Sequence, residues 1–111
     1  MRSLLRKIRN FPLAIPESIP EELFTELLRG KDFRMERIVS KGHSSPESGW
    51  YDQDENEWVI VLKGEARISF SDGGVVHLSA GGYINIPART RHKVIWTTPD
   101  KETIWLAIHY Q

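Results

Sequence analysis

From Phe33 onward, hydrophobic and polar positions alternate in short runs. Phe33-Arg34-Met35-Glu36-Arg37-Ile38-Val39 reads as a strand with two unlike faces. A polar stretch from Ser40 to Gly49 follows, and then strand candidates come in quick succession over 57–62, 66–71, 75–78, 83–86, 93–97 and 103–110. The breaks between them carry turn chemistry: Lys63-Gly64-Glu65, Ser71-Asp72-Gly73-Gly74, Ala80-Gly81-Gly82, Pro87 and Thr98-Pro99-Asp100. The sharpest hairpin signal is Ser71-Asp72-Gly73-Gly74, because glycine tolerates the positive φ that tight hairpins require. Many short strands with regular turns predict an all-β sandwich or barrel.

Upstream the spacing changes. Ser18 stands three residues before Glu21, as in a capping box, with Pro20 in the first turn, where its missing N–H costs little. Leu23, Phe24, Leu27 and Leu28 form an apolar stripe at helical spacing, and Gly30 is a stop signal. The pattern predicts a short helix near residues 19–29, packed outside the barrel. Residues 1–17 read as a lead-in, basic at Arg2, Arg6, Lys7 and Arg9 and marked by Pro12 and Pro16. Residues 18–111 then make one domain.

Composition narrows the function. The 111 residues suffice for one domain and are too few for two. Fifteen basic residues balance 15 acidic ones, which argues against a dedicated nucleic-acid binder. The absence of cysteine excludes disulfides, zinc fingers and thiol nucleophiles. Met1 to Ile15 holds no apolar run long enough for a signal peptide, and no segment approaches a membrane span. The expected location is cytoplasmic, with no membrane partner.

Two segments carry candidate chemistry, Gly49 to Gly64 and Gly81 to His92. Together they resemble the two motifs of the cupin superfamily. The first motif has a glycine, two histidines one residue apart, a glutamate, and a closing glycine seven positions after it. Gly49, Glu57 and Gly64 fall on the glycine, glutamate and closing-glycine positions. The second has a glycine, a proline six positions later and a histidine five beyond that, matched by Gly81, Pro87 and His92. The resemblance covers roughly residues 33–110 and implies a cupin β-barrel, or jelly-roll-like sandwich. It also implies homodimers, since small cupins often pair through outer-sheet surfaces. This chain departs from the pattern at the two histidine positions, which hold Tyr51 and Gln53. Arg89 replaces a glycine after the proline, and Trp96 stands at the late asparagine position. Two of the family's four usual metal ligands are therefore replaced.

The residues themselves point to an interior site. Alternate residues of a strand share a face. An extended register would put Tyr51, Gln53 and Glu57 on one face with Val59 and Val61. On the later strand His92 would share a face with Val94 and Trp96, with Lys93 turned to water. An interior carboxylate must be paired, hydrogen-bonded, metal-bound or protonated, because isolated burial is too costly. Three arrangements satisfy Glu57. A divalent metal (zinc, iron, manganese or nickel) could bind Glu57 and His92, with Gln53, Tyr51 or water completing the shell. Glu57 and His92 could instead form an acid/base couple acting on a small organic molecule. Or the pair could be a structural hydrogen-bond network.

Two functions therefore stand side by side: a metal-dependent cupin enzyme of unknown reaction, and a metal-free small-molecule binding or sensing module. Tyr51, Gln53, Arg89 and Trp96 are the candidate substrate contacts, and Arg89 with Arg91 could meet an anionic substrate at the mouth. Trp50, Trp58, Trp96 and Trp105 read as packing residues, or as an aromatic pocket for a flat ligand. His43 belongs to a polar loop and His77 to a solvent face. His109 reaches the site only if Trp105, Ala107 and His109 face inward. The acidic run Asp52, Asp54, Glu55 and Glu57 lacks the glycine and spacing of a calcium-binding EF-hand loop.

Overall fold

The computed structural model describes residues 15–46 and 49–111. The basic cluster of the lead-in lies outside these residues. Eight strands follow one another: β1 (Leu23–Arg29), β2 (Phe33–Ser40), β3 (Asn56–Lys63), β4 (Glu65–Phe70), β5 (Val75–Ser79), β6 (Tyr83–Ile86), β7 (His92–Thr97) and β8 (Thr103–Tyr110). They form two antiparallel sheets, one ordered β1-β2-β8-β3-β6 and the other β5-β4-β7. This is the all-β, jelly-roll-like sandwich that the sequence predicts. Among the described residues no helix is long and apolar enough to cross a membrane.

The helix expected near residues 19–29 is not there. Leu23–Arg29 is an edge strand, hydrogen-bonded to β2 with Phe24 opposite Ile38 and Glu26 opposite Glu36. Its register shifts between Glu26 and Leu28. Such a bulge places one extra residue in the strand, which breaks the period of two. The apolar positions at 23, 24, 27 and 28 thereby mimic a helical stripe while belonging to a strand. Pairing with β2 supplies the backbone hydrogen bonds that decide the outcome.

Between the sheets lies one apolar core. Val59, Val61, Trp105 and Ala107 of the five-stranded sheet meet Ala66, Ile68 and Leu78 of the three-stranded one, all buried. Each large aliphatic or aromatic side chain removed from water contributes about 1.5–3 kcal/mol. The register fixes what the inner face presents in cross-strand rows. Ile38, Trp105 and Val61 form one row, and Glu36, Ala107, Val59 and Ile84 the next. Arg34, His109, Glu57 and Ile86 form the third. The inner face thus runs from apolar packing to charged and imidazole groups along the same strands, which is what places the site.

Turn chemistry holds the strands to this register. Gly64 adopts a φ of 83° between β3 and β4, a backbone conformation disfavoured for residues with a Cβ. The hairpin between β4 and β5 closes with Asp72 Oδ1 accepting the Gly74 N–H at 2.8 Å, a side-chain cap that mimics a turn.

Candidate functional site

The third inner row opens into a cavity of about 190 Å³ between the sheets. Its apolar wall includes Val59, Ile68, Ile86, Val94 and Trp105. Trp105 donates its indole N–H to Ser40 Oγ at 3.2 Å, so its polar edge is satisfied and its ring is left for packing.

Glu57 and His92 approach across this cavity, one from each sheet. His92 Nε2 lies 3.6 Å from Glu57 Oε1, with side chains only 7% and 13% exposed. Gln53 Nε2 donates to the same Glu57 oxygen at 2.9 Å. His92 Nδ1 donates to the Thr90 carbonyl at 2.8 Å, which directs Nε2 towards the carboxylate. Burial on its own would push the Glu57 carboxyl up. The His92 contact, the nearby His109 and the Gln53 amide outweigh it and hold the group below its ordinary value of 4.5. Burial likewise works against charging His92, but the Glu57 carboxylate and the Thr90 carbonyl outweigh it and raise the imidazole above 6.5. Each partner thus favours the charged form of the other.

Tyr51 and Gln53 also line the cavity, as the strand-face reading predicts. Tyr51 sits at the mouth, 45% exposed, with its ring centroid 5.7 Å from that of His92. Trp96 does not share the inner face with His92. β4 pairs Arg67 with Trp96 and Ile68 with Val94, so Ile95 is an extra residue in β7. A one-residue shift turns every later side chain over. Trp96 therefore points away from the cavity, under the Arg67 guanidinium at 4.9 Å and stacked with His77. Arg89 is likewise outside the cavity. It adopts a φ of 63° and holds the acidic loop, with Nη1 2.8 Å from Asp54 Oδ1 and Nε 3.2 Å from Asp52 Oδ1. Arg91 Nε joins Asp52 at 3.4 Å.

The histidines divide. His43 accepts the Lys41 N–H at 2.8 Å and serves the loop. His77 meets Glu65 at 2.8 Å on the outer surface. His109 does face inward with Trp105 and Ala107, and it lines the cavity beside Glu57. Its Nε2 donates to Glu36 Oε1 at 2.9 Å, while its buried Nδ1 has no hydrogen-bond partner among the described residues. Sequence reasoning missed Glu36, Arg34, Glu22 and Phe24, all on the cavity wall. The alternation that places Ile38 inward also places Arg34 and Glu36 there, so that signal was present. Glu22 and Phe24 were hidden by the helical reading of β1.

The donor set can be weighed against a metal. Glu57 and His92 are good ligands for zinc, iron, manganese or nickel, and the His92 Nδ1 contact is the kind that orients a metal-binding imidazole. The third neighbour, Gln53, is a neutral amide already bonded to Glu57. Among the described residues no group of three or more His, Cys, Asp or Glu side chains is arranged so that it could hold a metal ion. This set does not fit a tightly held resident ion, which is usually bound by at least three strong protein donors.

Comparison with known proteins agrees with the architecture. The family model described as "Cupin domain" matches residues 35–109. The chain belongs to the cupin family. This cupin is similar to a Ralstonia eutropha JMP134 protein named "putative mannose-6-phosphate isomerase", with 36% identity over 96% of this chain and 99% of that one, and a TM-score of 0.90. A cupin superfamily protein of Desulfitobacterium hafniense DCB-2 superposes with a TM-score of 0.74 at 20% identity, covering 95% and 93% of the two chains. An RmlC-like cupin of Desulfovibrio desulfuricans gives 0.73 at 17%, over 95% and 96%. At those identities the likeness speaks to the cupin fold alone. No curated protein matches the sequence at a significant level.

Proposed function

We propose that this cupin binds a small organic molecule in the inter-sheet cavity and moves protons on it, with Glu57 as base and His92 as acid. The observation that carries this reading is the buried Glu57–His92 pair, 3.6 Å apart on the wall of a cavity of about 190 Å³. The lowered Glu57 carboxyl and the raised His92 imidazole each lean towards the charged form, which sets a base beside an acid. Such a pair suits interconversion of a hydroxy-aldehyde and a hydroxy-ketone. Glu57 takes the proton from the carbon next to the carbonyl while His92 gives one to the carbonyl oxygen. The resulting enediol collapses when a proton returns to the neighbouring carbon and a hydroxyl proton is released. The name carried by the Ralstonia relative supports chemistry of this class.

The test is proton exchange in heavy water. A panel of small aldoses and ketoses, with and without phosphate, is incubated with the protein and followed by proton NMR. Deuterium should enter the carbon next to the carbonyl with wild-type protein and not with Glu57→Gln or His92→Asn. Equal exchange by wild type and Glu57→Gln would end the acid–base assignment.

A divalent zinc, iron, manganese or nickel ion on Glu57, His92 and Gln53 is the competing reading. Its support is the orientation of His92 Nε2 by the Thr90 carbonyl. Elemental analysis of protein purified without chelator or nickel resin separates the two. A binding or sensing module without catalysis would show saturable ligand binding and no exchange.

A further inference from the structure

Among the described residues three carboxylates, Glu22, Glu36 and Glu57, line the cavity against one guanidinium, that of Arg34. Arg34 is already engaged: its Nη1 lies 3.5 Å from Glu36 Oε2 and its Nη2 3.3 Å from Glu55 Oε1. Both imidazoles on the wall face carboxylates, His92 at Glu57 and His109 at Glu36. The Gln53 amide N–H is directed at Glu57, and among the described residues no lysine lines the wall. Phosphate recognition calls for arginine, lysine or a cluster of backbone N–H groups aimed at the oxygens. Here Arg34, His92 and His109, the cationic or imidazole groups of the described wall, each face a carboxylate that a dianion would have to displace. Like charges brought together away from water repel more strongly than in bulk solvent.

We propose that the cavity ligand is an uncharged or cationic molecule. It carries hydroxyl or amino groups towards Glu22, Glu36 and Glu57 and an apolar face towards Val59, Ile68, Val94 and Trp105, and it bears no phosphate. The cavity is smaller than the roughly 300–1,000 Å³ of drug-sized sites, which suits a compact ligand. The carboxylates accept hydrogen bonds from such a ligand, and the aliphatic wall packs against its ring or chain. The proposal rests on the cavity being a small-molecule site, but not on any reaction there.

The experiment uses three matched probes, cyclohexanol, cyclohexylamine and cyclohexyl phosphate, titrated into the full-length protein near pH 7. The imidazole resonances of His92 and His109 report occupancy by NMR. Cyclohexanol and cyclohexylamine should shift both resonances saturably, and the phosphate ester should bind at least about tenfold more weakly than the amine. In the Glu22→Gln, Glu36→Gln double variant the preference for the amine over the phosphate should shrink by at least about tenfold. Phosphate binding as tight as the amine's, or no shift with either uncharged or cationic probe, would overturn the proposal. An unaltered preference in the double variant would overturn the role given to the two glutamates. Saturable amine binding by a protein that exchanges no carbon-bound protons would leave this proposal standing and remove the acid–base reading alone.

Discussion

Tyr51 and His92 exchange both backbone hydrogen bonds, the Tyr51 N–H to the His92 carbonyl at 2.8 Å and the His92 N–H to the Tyr51 carbonyl at 3.2 Å. This isolated bridge fastens the loop ahead of β3 to the strand that carries the site's imidazole. Further along β7 the Ser45 N–H donates to the Val94 carbonyl at 2.8 Å and the Val94 N–H to the Ser45 hydroxyl at 3.0 Å, and the Arg89 N–H reaches the Gln53 carbonyl at 2.8 Å. The loop is thereby tied to β7 and its approach, and this brings the Gln53 side chain to Glu57. Tyr51→Pro removes one bridge donor and leaves the His92 carbonyl without its partner. Stability should fall by about 1–3 kcal/mol. Urea denaturation measures this, and an unchanged midpoint would show that the bridge does not hold the loop.

The same pair sets a pH dependence. The Glu57 carboxyl is lowered in the folded state, so its contribution is present above its ordinary value of 4.5 and is lost as pH falls through the lowered value. His92 is raised, so its contribution is complete below the ordinary 6.5 and is lost as pH rises through the raised value. The pair's contribution is therefore greatest between about pH 4.5 and 6.5. His109, Glu36 and Arg34 face the same cavity, so the comparison must be made against a variant. The melting temperature of wild type minus that of His92→Asn should be largest in this window and shrink on the alkaline side. A difference that grows with alkaline pH would contradict the assigned direction.

Two glycines separate backbone conformation from close approach. Gly64 and Gly73 both have positive φ, 83° and 99°. A Cβ at Gly64 would stand 2.5 Å from Thr103 Oγ1, 2.8 Å from Thr103 Cα and 2.9 Å from the Glu102 carbonyl, whereas one at Gly73 meets nothing within 4 Å. Gly73→Ala should cost about 1–3 kcal/mol for the conformation alone. Gly64→Ala carries that cost and must also displace backbone at the start of β8, so its loss should be larger. Equal losses by chemical denaturation would mean that β8 yields freely there.

Seven of the eight strands were legible because glycine, proline and Asp-Gly turns punctuate them, and turn chemistry acts locally. The inward approach of Glu57 and His92 was legible because a strand face can be followed over a few residues from a buried valine. Two of the misplacements trace to bulges. The extra residue near Leu27 gave β1 a helical rhythm, and the extra residue Ile95 turned Trp96 outward. A bulge is set by pairing with a distant strand, so no local pattern announces it. Arg89 escaped for a related reason: Asp52 and Asp54, which hold it, lie far away in the chain and come close only once the loop is fastened to β7.

Gln53 is the residue at which the metal question can be decided. Its amide nitrogen lies 2.9 Å from Glu57, so a side chain of similar reach at this position meets the same carboxylate. Gln53→His adds an imidazole to Glu57 and His92 and gives the three strong donors that an open zinc or nickel site uses. After dialysis against zinc and then against buffer, the variant should retain near-stoichiometric metal by elemental analysis, and wild type only a small fraction of that. Adding His92→Ala to the variant should return it to the wild-type level, since two strong donors would remain. Stoichiometric zinc in wild type would show that Glu57, His92 and Gln53 suffice, and the metal-free reading of this cavity would have to be given up. Retention by the doubly substituted protein would place the ion somewhere other than between Glu57 and His92.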